Sequence, residues 1–370
     1  MKEQVHWVGF EALEAFMADV FKGLGVPEED AGICAEVLAT ADRYGIDSHG
    51  ISRCKPIYYD RIKIGIQQPV TDFEVVKETE TTAVVDGHHG MGHVIASRAN
   101  RMAIDKAKEH GLGMVAVRNS THYGIAGYYP LKCIEAGMVG ITGTNARPSI
   151  APTFGVENML GTNPLTLGCP TDEDFPFLLD CATSVSQRGK IEVYAREGKP
   201  IPEGWVVDSS GKPATESAQI LKDLVAGTAA LVPVGGIGEE TAGFKGYGYA
   251  TFIEIMSAAL CDGNHMKQLL GYDDEGNRVP YGLGHFFLAI DIEHFVPLGT
   301  FKGIAGAITR GLRASKRAPG AERIYTAWEK EHENFLYRKD RGAPINASLR
   351  SEIEAMRSEL GLSGHRFPWD

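Results

Sequence analysis

Six cysteines are scattered along the 370 residues without a single C-x-x-C pair. That excludes a zinc ribbon and offers no disulfide framework, so the thiols read as reduced, as in the cytoplasm. No uncharged apolar run approaches the roughly 18 residues that a membrane span needs. The longest, Leu224 to Gly238, is short and broken by Pro233 and glycines. No signal-type apolar stretch follows the first residues either; an amphipathic helix pattern does. Basic residues are in the minority, 37 Lys and Arg against 48 Asp and Glu for a net charge of -11, and cluster only at Arg310–Arg317. Nucleic acid is therefore a poor candidate partner. There is no G-x-S-x-G, no P-loop and no H-E-x-x-H, so serine hydrolase, P-loop nucleotidase and zincin all lose support. Two glycine-rich stretches imitate a dinucleotide fingerprint and fail it. Gly111 to Ala116 ends a helix and begins a strand, the reverse of what the fingerprint requires, and Gly87 to His93 lacks the third glycine.

What is present is an ordinary globular composition, 43% apolar and 23% charged, long enough for two domains or for one with a large appendage. Phe10, Leu13, Phe16, Met17 and Val20 recur at helical spacing up to Gly25. Pro27 with Glu28, Glu29 and Asp30 begins a second helix. A third is expected from Ser48 to Gly65. From residue 73 the pattern becomes mixed: strands at Phe73–Lys77, Thr81–Asp86, Leu112–Val117, Met138–Thr142, Pro164–Gly168, Phe177–Cys181 and Phe286–Ile292 alternate with helices at 94–109, 127–135, near Ser186 and at 244–260. The tail is helical again. The pattern predicts an α/β fold with a mixed sheet.

Two stretches are rich in chemical groups. In Asp47-Ser-His-Gly-Ile-Ser-Arg53, a helix start would let Arg53 grip a carboxylate with two parallel N–H bonds while His49 moves a proton nearby. Equally, His49 is a capping histidine and Arg53 a surface residue paired with Asp47 or Asp60. Asn119 to Gly127 follows a strand, where α/β proteins place ligand-facing groups, and brings His122. Its alternative is a loop histidine bonded to backbone. Arg147, in a turn-rich loop, is a second candidate anion anchor, and Lys245 between glycines suits phosphate or ribose oxygens. His88, His89 and His93 raise the alternative of a metal-dependent hydrolase or lyase.

In this order, Asp47-Ser-His-Gly50 with Arg53, Asn119 to Gly124, Gly161-Thr-Asn-Pro164, Asp180-Cys-Ala-Thr183, Lys245-Gly-Tyr-Gly248, Gly284-His-Phe-Phe287 and Pro319-Gly-Ala-Glu-Arg323 resemble the second-type malate/L-lactate dehydrogenase family. The resemblance spans nearly the whole chain. It implies a non-Rossmann nicotinamide-binding domain, residues 73–324, and a helical domain, residues 1–72, with 325–370 packing back onto it, in a homodimer. It implies NAD, with NADP possible, and a small 2-hydroxy or 2-oxo acid, malate foremost. A cyclic imino acid reductase is the alternative within the family. The implied catalytic residues are His49 or His122, with Ser48 orienting His49, and Arg53 clamps the carboxylate. Arg147 is expected to meet a second carboxylate. Tyr123, Gly124, Thr162, Asp180, Cys181, Ala182 and Thr183 would lie along the cofactor. Lys245, Pro319, Gly320, Glu322 and Arg323 would sit near its ribose and phosphates. Phe244 stands where many members carry histidine.

Overall fold

The computed structural model describes residues 5–370. The first strand, β1 (His6–Val8), leads into α1 (Phe10–Gly23) and α2 (Glu28–Arg43). In α1 the stripe Leu13, Phe16, Met17 and Val20 is fully buried, the spacing of one helix face. The helix ends where Gly25 turns the chain at φ +90°, a conformation glycine adopts without a Cβ penalty. The helix expected from Ser48 is not a regular one. Residues Ile51–Arg53 form a 3₁₀ turn and Cys54–Tyr59 a π-helical stretch, and only α3 (Asp60–Lys63) is α-helical. Pro56 has no N–H to return to the Ser52 carbonyl, so the α ladder cannot run through it. Ser48 and His49 consequently lie outside any helix, in the turn before it.

The central sheet is built from β2 (Glu74–Glu78) and β3 (Thr82–Asp86), then α4 (Gly92–His110), β4 (Leu112–Ser120), α5 (Tyr128–Glu135), β5 (Met138–Thr144), β6 (Leu165–Cys169) and β7 (Phe177–Cys181). After α6 (Arg188–Arg196) a short hairpin, β8 (Val206–Asp208) with β9 (Ala229–Leu231), encloses α7 (Ser217–Ala226). Then α8 (Gly243–Ala258) returns the chain to the sheet as β10 (Leu283–Asp291). The seven strands run in the order β2-β3-β4-β10-β5-β6-β7. Only β3 and β4, joined through α4, are parallel. A dinucleotide-binding fold of the Rossmann type needs a run of parallel strands, so the sheet is mixed and of another kind. That accounts for the failed fingerprints: Gly111 caps the C-terminus of α4 at φ +83°.

The last helices are α9 (Leu298–Ala314), which the hydropathy pattern did not single out, α10 (Glu329–Arg338) and α11 (Ala347–Glu359), with β11 (Ala343–Ile345) before α11. β1 and β11 pair antiparallel, His6 opposite Ile345. One hydrophobic cluster joins Leu13, Phe16 and Val20 to Ile353, Met356 and Phe367, and the Tyr59 hydroxyl donates to Glu359. The two ends of the chain thus share a core. Among the described residues no helix is long and apolar enough to cross a membrane, and no cysteine is disulfide-bonded.

Candidate active site

The turn that carries Ser48 and His49 is clamped from beneath. Asp42, buried on α2, accepts the Ile51 N–H at 2.8 Å, and burial pushes its carboxyl up to about 8. Gly50 presses directly on it, since a Cβ there would stand 1.9 Å from the carboxyl oxygen. From α10, Arg338 donates to both oxygens of Asp47, at 2.5 and 2.9 Å, and to the Asp42 carbonyl at 2.9 Å. Asp60 is taken by Lys55 at 2.7 Å. Both carboxylates that might have occupied Arg53 are therefore engaged elsewhere. Arg53 donates through Nε to the Ser48 carbonyl at 2.5 Å, and among the described residues no ion pair holds its guanidinium. The Ser48 hydroxyl sits 2.9 Å from His49 Nδ1.

His122 arrives from the end of β4. Gly92, at the start of α4, packs on its backbone so closely that a Cβ would meet the His122 carbonyl oxygen at 2.3 Å. The His122 Nδ1 lies 2.5 Å from the Tyr58 hydroxyl, with the Gly124 amide at a longer 3.3 Å. His49 and His122 face one another as stacked rings, 5.8 Å apart and inclined by 18°. On both, Nδ1 is occupied and Nε2 is left over. Burial, then the Arg53 charge, lowers His49 to about 4. Burial, then the His49 and Arg61 charges, holds His122 well below the usual histidine range. Both rings are neutral at pH 7, the state that accepts a proton.

These groups open on one cavity of about 480 Å³, a volume within the roughly 300–1,000 Å³ common for small-molecule sites. Ser48, His49, Arg53, His122, Tyr123, Gly124, Thr162, Asp180, Cys181 and Ala182 all line it. Residues 122–126, 144–146 and 178–182 of the central sheet region meet Ile46, Ser48, His49 and Arg53 of the N-terminal region there. Asp180 is a wall strut: its carboxylate takes the Gly127 N–H at 2.7 Å and the Thr166 hydroxyl at 2.9 Å. Thr183 is buried behind the wall, tied to the Thr162 and Asn163 carbonyls. Lys245, Pro319, Gly320, Glu322 and Arg323 do not line the cavity. Arg323 is instead held by Glu329 and Glu333, and the Glu322 carbonyl accepts from Arg317. Arg147 is exposed just past the lining residues Asn145 and Ala146.

Sequence reasoning missed Trp328 and Glu331, which bring α10 to the cleft, and Gln187 and Gly189 at the start of α6, on either side of Arg188, which it weighed only as a partner for a 2′-phosphate. A signal existed only for the last group: α6 opens with Arg188 and Lys190 and no acid, against the usual preference at a helix N-terminus. The three candidate metal histidines do not converge. His88 is bound by Glu74 at 2.8 Å on the surface, His93 is fully buried, and among the described residues no group of three or more His, Cys, Asp or Glu could hold a metal ion.

His93 has a different consequence. Neither ring nitrogen has a partner among the described residues, and burial lowers it to about 3. Its unfolded pKa is about 6.5, so the stability it permits is complete above that value and is lost as pH falls toward the folded one. The loss per proton is about 1.4 kcal/mol per pH unit. Asp42, with its raised pKa, acts in the opposite sense, so the clean observable is a difference. Urea melts from pH 7 to 5 should show His93→Asn losing stability less steeply than the wild type. Equal slopes would contradict a buried neutral His93.

One cleft of this α/β fold thus brings together two histidines and an arginine that, among the described residues, has no ion-pair partner. A family model described as malate/L-lactate dehydrogenase matches residues 8–354, and the chain belongs to that family. It is 42% identical to malate dehydrogenase of Pyrococcus horikoshii over 96% of this chain and 95% of the relative. With L-sulfolactate dehydrogenase of Methanocaldococcus jannaschii it shares 39% over 93% and 94%. Among solved structures, malate dehydrogenase from Entamoeba histolytica superposes with a TM-score of 0.93 at 42% identity, covering 97% of this chain and 99% of that one.

Proposed function

We propose that this hydroxyacid dehydrogenase interconverts malate and oxaloacetate with NAD, and that His122 transfers the proton. The observation that carries the reading is the pairing of His122, its Nδ1 held by Tyr58, with Arg53, whose guanidinium no carboxylate among the described residues occupies. Arg53 receives the C1 carboxylate on two parallel N–H bonds and so turns C2 toward the cofactor side, an orientation worth at best about 7–11 kcal/mol. His122 Nε2 takes the C2 hydroxyl proton during oxidation and returns it during reduction, while the Tyr58 hydroxyl, 2.5 Å from Nδ1, fixes the ring. When bound, the nicotinamide accepts or supplies the hydride. The cavity suits that ring: Tyr123, Gly124, Ala126, Leu178 and Ala182 all line it, and so do Gln187–Gly189 at the α6 N-terminus, a natural place for the phosphates.

Of Arg188, Lys190 and Arg196, the basic side chains of α6 that could meet a 2′-phosphate, two already have partners, which favours NAD over NADP. Arg188 is bound by Glu192 at 2.9 Å and Lys190 lies 4.8 Å over the Trp205 ring. The reduced thiols suit the cytoplasm. A homodimer is supported by two uncovered apolar faces: Tyr249, Phe252 and Ile255 on α8, and Ile304, Ile308 and Leu312 on α9, each more than half exposed. Replacing Ile308 by glutamate is expected to shift the protein to the monomer position in size-exclusion chromatography; an unchanged elution would remove α9 from the interface.

The test of function is a screen of malate, lactate, sulfolactate and cyclic imino acids with both cofactors, followed at the nicotinamide absorbance. Malate with NAD is expected to give a kcat/KM at least about tenfold above lactate, the discrimination that one charged contact supplies. A cyclic imine as best substrate would replace this reading with the reductase one.

A further inference from the structure

Helix α8 turns an acid inward and apolar side chains outward. Phe252 and Ile255 are exposed, while Glu254 between them is 5% exposed. Among the described residues no ion pair engages Glu254. A carboxylate withdrawn from water without a cation is unfavourable unless N–H donors replace the water it loses. Two donors do so here, from different segments. The Asn163 side-chain amide donates to one oxygen and the Met266 backbone N–H to the other, each at 2.7 Å.

Both donors lead to the cavity. Asn163 is fully buried; its Nδ2 also donates to the Ala250 carbonyl at 3.0 Å, and its Oδ1 accepts the Ala146 N–H at 3.2 Å. Its backbone stands at φ +31°, a conformation that residues with a Cβ seldom adopt. The fit is close, since a Cβ on Gly161 would meet the Ala146 carbonyl oxygen at 2.3 Å. On the other side, the Asn264 carbonyl, two residues before Met266, accepts the Asn145 side-chain amide at 2.9 Å. The Asn145 Oδ1 takes the Gly284 N–H at 2.8 Å. The two oxygens of Glu254 thus brace Asn145 and Ala146 from two directions. Those residues line the cavity, as do Thr162 and Pro164 on either side of Asn163.

We propose that Glu254 is a positioning residue that fixes the Asn145–Ala146 and Thr162–Pro164 edges of the cavity as the seat of the cofactor. It acts only through Asn163 and the 264–266 segment. That the cofactor occupies this edge rests on the dehydrogenase reading; the brace itself does not. A carboxylate is required because it is acceptor-only, whereas glutamine has one oxygen and must aim its NH₂ at a donor, Asn163 or Met266. Asn163 cannot flip to relieve this, because its amide would then face the Ala146 N–H and its oxygen the Ala250 carbonyl.

Glu254→Gln is expected to raise KM for NAD by about tenfold or more and to change KM for malate by less than about threefold, since this network has no bond to Arg53. Exchanging the two groups, Glu254→Gln with Asn163→Asp, restores a donor facing an acceptor and the net charge, and should recover most of that loss. Asn163→Ala, which removes the amide and leaves Met266 bonded, should show the same split and serves if the glutamine variant does not fold. Hydrogen exchange without cofactor reads the brace directly. Peptides covering 144–150 should exchange about tenfold faster in Glu254→Gln, with α1 unchanged. That result in a chain that oxidises no hydroxy acid would uphold the brace and sink only the dehydrogenase reading. Unchanged exchange at 144–150, or faster exchange that includes α1, would overturn the proposal. So would equal rises in KM for NAD and malate, an unchanged KM for NAD, or no recovery in the exchanged pair.

Discussion

Replacing His122 by alanine is expected to slow single-turnover hydride transfer from malate by about 10²–10⁴, the usual contribution of a positioned acid–base group. The argument is geometric. His122 has one nitrogen fixed by a buried hydroxyl, Tyr58 at 2.5 Å, and the other free at the cavity. His49 has only the exposed Ser48 beside it, so His49→Ala should cost less. The pH profile carries the same claim. In the free enzyme His122 is held well below its usual range by burial and neighbouring charge, so the base stays neutral as pH falls. For malate oxidation kcat/KM should therefore stay level as pH falls through the ordinary histidine pKa of about 6.5. An acid limb at about 6.5 would point to a solvent-exposed base. Tyr58→Phe should lower kcat and leave KM for malate nearly unchanged, because Tyr58 reaches substrate only through the imidazole.

Arg53→Met is expected to lower kcat/KM for malate by about 30- to 5,000-fold, the range for losing one side of a desolvated, hydrogen-bonded charge pair. Substrates of every chain length should suffer, since all carry the C1 carboxylate. Folding should be nearly unaffected. The Arg53 guanidinium donates only to the Ser48 carbonyl, whereas the loop itself is secured by Asp42 and by Arg338 on Asp47. A large drop in melting temperature in Arg53→Met would show that the arginine holds the loop rather than the substrate.

The sheet was legible in the sequence because its strands alternate or run apolar between glycines, as at Leu112–Val117 and Phe177–Cys181. The residues that meet at the cavity were legible for a related reason: Ser48, His49, Arg53 and His122 are polar groups in short runs beside glycines. Other features have no local signal. Three-residue strands such as β1 and β11 are specified only by each other, across the length of the chain. Trp328 reaches the cleft because α10 docks on α2 through Arg338, a tertiary event. The π-helical stretch replaced an expected α-helix although Pro56 was in plain view; proline forbids the regular ladder but does not say which irregular one follows. Lys245 and residues 319–323 carry family motifs yet do not line this cavity.

The most direct test uses malate deuterated at C2, with NAD and the wild-type chain, and mass spectrometry of the reduced cofactor. Transfer from C2 while Arg53 holds the carboxylate and His122 the hydroxyl proton predicts one deuterium on the nicotinamide ring, and its near disappearance over the same interval in His122→Ala and Arg53→Met. Reduced cofactor without the label, or label transfer unchanged in both variants, would contradict the account.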